Sequence, residues 1–100
     1  MFKFISLYSG STGNSLFIET DHTKLLIDAG VSAKKITSAL TALQTNLNDI
    51  DAIIVTHEHS DHTQSLGTLS CKYNIPVFAN KETWDAMTLQ RDKISTSNQK

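Results

Sequence analysis

The apolar run Asp51-Ala52-Ile53-Ile54-Val55-Thr56 leads directly into His57-Glu58-His59-Ser60-Asp61-His62, which holds three of the four histidines of the chain. The first half is short and mostly apolar, which predicts a β-strand that is buried on both faces and central in its sheet. The second half is polar and predicts the loop after that strand. Open α/β sheets bind their ligands at this position, so this stretch decides where the functional site lies.

The spacing of the histidines points to metal binding. His57 and His59 are two residues apart, and such residues project to the same side of an extended backbone, so both can reach one metal ion. Asp61 and His62 lie one step further on, where a turn can aim them at a second ion. Imidazole and carboxylate ligands suit zinc, with manganese or iron as alternatives. Without a metal, three crowded imidazoles would repel one another when protonated.

Three apolar runs before this stretch predict three β-strands. The first, Phe2–Tyr8, ends at the turn-forming segment Ser9–Asn14. The second and third, Ser15–Thr20 and Lys24–Asp28, are separated by a short polar turn whose spacing suits a hairpin. His22 lies in that turn, and we expect it to have no role in the site.

The rest of the chain predicts helices that alternate with strands. One helix begins at the cap Ser32, a second covers about 63–74, and a third begins at the cap Asn80. The short strand Ile75–Ala79 separates the second helix from the third. From Arg91 onward the periodicity is lost and no regular element is predicted. The predicted order is therefore βββ-α-β-α-β-α, an α/β fold in which helices cover a sheet.

Composition limits the function classes. A chain of 100 residues with 39% hydrophobic and 19% charged residues fits one globular domain or part of one. The net charge of -1 gives no general attraction to nucleic acid or to an anionic membrane. No run approaches the roughly 18 apolar residues that span a bilayer, and the single cysteine, Cys71, cannot form an internal disulfide. We therefore expect a cytoplasmic protein without a membrane partner.

The string His57–His62 matches the His-x-His-x-Asp-His signature of the metallo-β-lactamase superfamily. Leu25–Gly30 resembles that superfamily's earlier strand-to-loop motif, which ends in Asp-x-Gly. The segment Ser9–Ser15 is similar to the N-terminus of a bacterial branch, the YycJ (WalJ) type, whose members are regarded as metal-dependent DNA exonucleases or phosphodiesterases. The resemblance covers the chain up to about Ala79 and implies the N-terminal half of an αβ/βα sandwich.

The resemblance also implies a role for each residue of the signature. His57 and His59 would hold the first of two divalent metal ions, and Asp61 and His62 the second. Asp61 would in addition act as the catalytic residue that orients the nucleophile. Asp28, in the earlier motif, would be structural and hold the metal-binding loop by hydrogen bonds. The implied substrate is DNA or another phosphodiester.

Part of the family's site has no counterpart in this sequence. The complete site takes a third histidine, a bridging aspartate and a further histidine from the C-terminal half, whereas no histidine follows His62 here. Asp85 and Asp92 are expected to be solvated. We therefore expect residues 1–100 to be a partial domain, with the C-terminal half absent and a polar tail at about 91–100. Such a chain would be inactive alone and would expose one sheet face, through which it can self-associate.

Two other function classes stay open. One is a hydrolase on the same fold that acts on a thioester, a lactam or a small cyclic phosphodiester, because the fold and the metal site do not fix the substrate. The other is a non-catalytic fragment that binds metal or a partner. The His-x-His motif of barrel amidohydrolases is disfavoured, because three predicted strands precede the motif and Asp61-His62 follow it closely.

Overall fold

The computed structural model describes residues 2–100, and its strands form one five-stranded mixed sheet. The strands, in their order across the sheet, are β1 (Phe2–Tyr8), β2 (Ser15–Thr20), β3 (Lys24–Ile27), β4 (Ala52–Ile54) and β5 (Val77–Phe78). Short turns join the first three strands, which are antiparallel, whereas helical crossovers join β3, β4 and β5, which are parallel. The predicted α/β class, with three strands before the alternating helices and strands, is confirmed.

Two of the five α-helices begin at polar caps that the sequence predicts. The five helices are α1 (Ala33–Ala42), α2 (Ser60–Thr63), α3 (Leu66–Tyr73), α4 (Lys81–Ala86) and α5 (Thr88–Arg91). The hydroxyl of Ser32 accepts the N–H of Lys35 at 3.2 Å, and Oδ1 of Asn80 accepts the N–H of Thr83 at 2.8 Å, so both predicted caps are confirmed. Across residues 2–100, no helix is long and apolar enough to cross a bilayer.

Two predicted elements differ in the structure. Strand β4 is interior, since it pairs with β3 and β5, but the central strand of the sheet is β3. The helix predicted at 63–74 is shorter in the structure. It begins at Leu66, and Thr63 belongs to the separate helix α2, because Ser65 is not helical and instead bonds the carbonyl of Ala29 through its N–H and its hydroxyl. These bonds fix the start of α3 against the end of β3.

The segment after Arg91 is more ordered than its composition indicates. It contains a short 3₁₀ helix, Thr96–Asn98, and the buried side chain of Ile94. The N–H of Lys100 donates to the carbonyl of Val77 at 2.9 Å. The expectation of no regular element here was wrong, because one apolar anchor and an open strand edge are enough to order a polar segment.

The core lies on one face of the sheet. The residues Ile5, Phe17, Leu26, Ile53 and Val77 form a continuous row across the five strands. The last four are almost fully buried, and they belong to one cluster with the helical residues Ile36, Leu40, Leu66 and Leu69. Truncating such a buried residue to alanine costs about 2 to 5 kcal/mol. This face therefore provides the packing that holds the ends of β3 and β4 in place.

The opposite face of the sheet is apolar but only partly covered. Its cross-strand neighbours are Phe4, Leu16, Ile18, Leu25, Ile27, Ile54 and Phe78. Phe4 is 58% exposed and Phe78 is 44% exposed, at strands on opposite edges of the sheet. Contiguous exposed apolar surface of this kind marks an interaction surface or a tendency to aggregate. We call this surface the open face.

We predict that the chain self-associates and binds a hydrophobic dye through the open face. Replacing Phe4 and Phe78 by serine should lower both signals without unfolding the chain, because both side chains are already exposed and outside the buried core. Sedimentation velocity at several concentrations and dye fluorescence measure the two effects. Leu89→Ser is the matched control, because Leu89 is 79% exposed but lies in α5, away from this sheet face. A wild-type chain that stays monomeric at all concentrations and binds no dye contradicts the prediction.

Candidate metal centre

The histidine loop lies at the carboxyl ends of two neighbouring parallel strands. Strand β3 ends at Ile27 and β4 ends at Ile54, and these two residues are paired in the sheet. Asp28 follows the first strand, and its N–H donates to the carbonyl of Ile54 at 2.8 Å. The segment that carries His57 follows the second strand. The sheet therefore places Asp28 next to a loop that is about thirty residues later in the sequence.

The carboxylate of Asp28 organises this loop. It is 5% exposed, and its Oδ1 accepts the N–H of Thr56 at 2.7 Å. Its Oδ2 accepts the hydroxyl of Thr56 at 2.6 Å and lies 2.7 Å from Nδ1 of His62. A buried carboxylate is stable only when its oxygens are bonded in this way. The backbone of Asp28 is left-handed, with φ 67°, which ends β3 one residue before the predicted boundary and turns the side chain to the loop.

The same contacts fix the ring nitrogens of two histidines. A carboxylate only accepts, so Nδ1 of His62 carries the proton that is shared with Asp28. The Thr56 hydroxyl gives its one proton to Asp28 and therefore accepts from Nδ1 of His57, which lies 3.0 Å away. In the neutral rings, the lone pair of both His57 and His62 is then on Nε2. A metal ligand needs this arrangement, in which the second ring nitrogen is held by a hydrogen bond.

The four predicted ligands lie close together, but they do not surround a common point. The ring centroids of His57 and His62 are 4.7 Å apart, and those of His57 and His59 are 6.4 Å apart. Oδ2 of Asp61 lies 3.5 Å from Nε2 of His62. The side chain of His59 is 73% exposed, and its Nε2 lies 3.5 Å from a carboxylate oxygen of Glu58.

The donor set fits a divalent ion in its chemistry. In residues 2–100, no three His, Cys, Asp or Glu side chains are placed so that they could hold one ion. The side chain of His59 is exposed, however, so its ring can turn without displacing the core. His57, His59, Asp61 and His62 are the residues that would hold metal, and this assignment stays a prediction.

Other titratable candidates lie apart from this cluster. His22 is in the exposed turn between β2 and β3, as expected. Asp85 in α4 bonds Nζ of Lys81 at 2.7 Å, and this hydrogen bond and the charge of Lys81 hold the pKa of Asp85 below its ordinary value. Asp92 is exposed. Neither aspartate is in contact with the histidines.

Two residues of the centre were missed by the sequence analysis. Thr56 was read only as the last residue of a strand, although it bonds both Asp28 and His57. Asn14 belongs to the segment Ser9–Ser15, which carries part of the family resemblance, but its own contact with the centre was not predicted: its N–H donates to the carbonyl of Asp61 at 2.8 Å. The contacts of Thr56 with Asp28 and of Asn14 with Asp61 depend on how distant segments meet in the sheet, so periodicity does not identify them.

Comparison with known proteins places the chain in a family. The model of the metallo-beta-lactamase superfamily matches residues 8–100. The chain is 52% identical over 86 residues to exodeoxyribonuclease WalJ of Streptococcus pneumoniae, which covers 86% of this chain and 32% of that protein. It is 52% identical over 84 residues to exodeoxyribonuclease YycJ of Bacillus anthracis, and this match covers 84% of this chain and 32% of that protein. A metallo-beta-lactamase structure from Cronobacter sakazakii shares the fold, with a TM-score of 0.73 and 24% identity. The match covers 82% of this chain and 30% of that structure.

We predict that Thr56→Val releases the ring of His57. The variant removes the hydroxyl between Asp28 and His57, so Nδ1 of His57 should lose its preference for the proton, which ring ¹⁵N shifts report above pH 7. The free energy of unfolding should fall by about 1.5 to 3 kcal/mol, the value of one hydrogen bond to a charged group. Urea unfolding measures this loss.

Thr68→Val is the matched control, because Thr68 is an exposed residue of α3 outside the candidate metal centre. It makes the same chemical change and should leave the His57 ring and its tautomer as in the wild type. An unchanged His57 spectrum in Thr56→Val would refute the assigned proton positions.

Proposed function

The chain belongs to the metallo-beta-lactamase superfamily, and we propose that it carries the metal-binding loop of a metal-dependent DNA exonuclease. The observation that supports this proposal is the 52% identity over 86 residues to an exodeoxyribonuclease. A match that covers 86% of the chain must include residues 57–62. Membership of the superfamily implies divalent metal ions, and the substrate that we propose is a phosphodiester of DNA.

The chain spans about a third of the length of these relatives, since the matches cover 32% of each. We propose that residues 1–100 form a partial domain and supply part of an active site. Four side chains, His57, His59, Asp61 and His62, are too few to ligate two ions fully. The remaining ligands and most of the substrate surface would then come from other residues, and the isolated chain would not turn over substrate.

In this proposal the residues of the loop bind two metal ions. His57 and His59 would hold one ion, and Asp61 and His62 a second. Divalent ions in such a site lower the pKa of water and neutralise the charge that develops on the phosphoryl oxygens. Zinc suits these ligands best, and manganese or iron are the alternatives.

The chain's own hydrogen bonds prepare this chemistry. Asp28 holds His62 with Nε2 available, and Thr56 does the same for His57. Asp61 is partly exposed, so its carboxylate can accept a hydrogen bond from the attacking water and orient it toward phosphorus. This role would make Asp61 the catalytic residue of the segment, with the two histidine tautomers fixed before any ion binds.

We predict that His59→Ala and Asp61→Ala each lower the rate of DNA cleavage at least ~100-fold in the full-length protein that contains this segment, because changes around metal ligands alone cost 10 to 100-fold. The assay follows nucleotide release from 5′-phosphorylated duplex DNA with manganese or zinc. His22→Ala is the control and should cleave like the wild type.

A thioester and a lactam are assayed in parallel, because the fold alone does not exclude them. A protein that hydrolyses either one but no phosphodiester contradicts the exonuclease proposal. Stoichiometric metal binding without turnover of any of the three would instead support a non-catalytic role.

A further inference from the structure

The side chain of Asn14 bridges the first loop of the chain and the candidate metal centre. Its Nδ2 donates to the carbonyl of Gly10 at 2.9 Å and lies 3.2 Å from the carbonyl oxygen of Asp61 and 3.3 Å from its Oδ2. Its Oδ1 accepts the N–H of Gly10 at 3.2 Å. Both ends of the amide are therefore engaged, by two segments that lie far apart in the sequence.

The backbone already brings these segments together without help from the side chain. The N–H of Asn14 donates to the carbonyl of Asp61 at 2.8 Å, and the carbonyl of Asn14 accepts the N–H of Gly30 at 2.9 Å. Gly30 permits this close approach, because a Cβ at that position would overlap the carbonyl oxygen of Asp61. Removing the Asn14 side chain leaves all of these bonds in place. The amide is therefore available to orient a neighbour.

That neighbour is the carboxylate of Asp61. Among residues 2–100, its Oδ2 has two polar side-chain neighbours, Nδ2 of Asn14 at 3.3 Å and Nε2 of His62 at 3.5 Å. With Nδ1 of His62 protonated, Nε2 is an acceptor and cannot donate, so Asn14 supplies the hydrogen bond that sets the plane of this carboxylate. An aspartate at position 14 could not donate and would repel Asp61.

We propose that Asn14 is a positioning residue that orients Asp61 for metal binding and for its catalytic role. The inference rests on the proposed function for the role of Asp61, but the contact itself involves only residues of this chain. Partners that orient a metal-binding carboxylate are worth about 10 to 100-fold in metal affinity. The same range is expected here.

The test compares Asn14→Ala, Asn14→Asp and the control Asn98→Ala in the chain. Asn98 also donates through its side-chain amide, to Oδ1 of Asn74 at 2.8 Å, but it lies in the 3₁₀ helix after α5. Two quantities are measured. One is the ¹³Cγ shift of Asp61 in the metal-free chain, and the other is the affinity for Zn²⁺ by titration calorimetry.

Asn14→Ala should move the Asp61 ¹³Cγ signal and weaken Zn²⁺ binding about 10 to 100-fold, while the amide spectrum of the core is retained. Asn14→Asp should also move the Asp61 signal, because a carboxylate at position 14 cannot donate to it, and Asn98→Ala should change neither quantity. The proposal is overturned if folded Asn14→Ala matches the wild type in both measurements. If Asn14→Ala does not fold, the nearly isosteric Asn14→Asp decides by the ¹³Cγ shift of Asp61 alone, because its added charge itself attracts Zn²⁺.

Failure of the proposed function gives a different pattern. If Asp61→Ala binds Zn²⁺ as tightly as the wild type, the metal-binding role of Asp61 is wrong. The ¹³Cγ shift of Asp61 in the metal-free chain then still decides whether Asn14 orients this carboxylate, because that measurement needs neither metal nor activity.

Discussion

The buried carboxylate of Asp28 is the interaction on which the candidate metal centre depends. It accepts from the N–H and the hydroxyl of Thr56 and is bonded to Nδ1 of His62. A carboxylate removed from water carries a large desolvation cost, so Asp28 needs each of these donors. The same hydrogen bonds hold Thr56 and His62 in place. Across residues 2–100, no buried side-chain nitrogen or oxygen lacks a hydrogen-bond partner. The buried charge of Asp28 therefore holds the histidine loop in place, because the loop supplies the donors that this carboxylate needs.

The sheet explains why this carboxylate can reach the loop. Strands β3 and β4 are parallel neighbours, so both chains leave the sheet at the same edge. The packed row through Leu26 and Ile53 keeps the two strand ends in register. Further backbone bonds extend the connection, from the N–H of Ala29 to the carbonyl of His62 and from that of Asn14 to Asp61. The predicted ligands Asp61 and His62 are therefore held against the end of β3, whereas His57 and His59 are exposed.

The sequence predicts the features that depend on local pattern or on a specific motif. Apolar runs bounded by turn-forming residues predict β1 to β3, polar caps predict the starts of α1 and α4, and the spacing of His57 to His62 predicts the candidate site. The resemblance to the superfamily correctly predicts that Asp28 holds the histidine loop by hydrogen bonds. The contacts of Thr56 and Asn14, the break at Ser65 and the ordered segment after Arg91 were not predicted. Each of them depends on a partner at least 22 residues away, such as Asp61 for Asn14 or Ala29 for Ser65, and periodicity carries no information about such pairs.

The most direct test of this account is the variant Asp28→Asn, with ring ¹⁵N shifts and amide hydrogen exchange measured in the chain. An asparagine side chain has one oxygen acceptor where the carboxylate has two. If the oxygen accepts from the N–H of Thr56, the NH₂ group faces Nδ1–H of His62; if the oxygen faces His62, the NH₂ group faces the N–H of Thr56. Either orientation places two donors against each other. We predict that His62 loses its Nδ1–H tautomer and that the N–H groups of Ala29 and Asn14 exchange faster, while the N–H of Ile53 stays protected. Asp51→Asn, which alters an exposed carboxylate that accepts the N–H of Lys24, should change none of these. An unaltered His62 tautomer with unaltered exchange in Asp28→Asn would contradict the central role of this carboxylate.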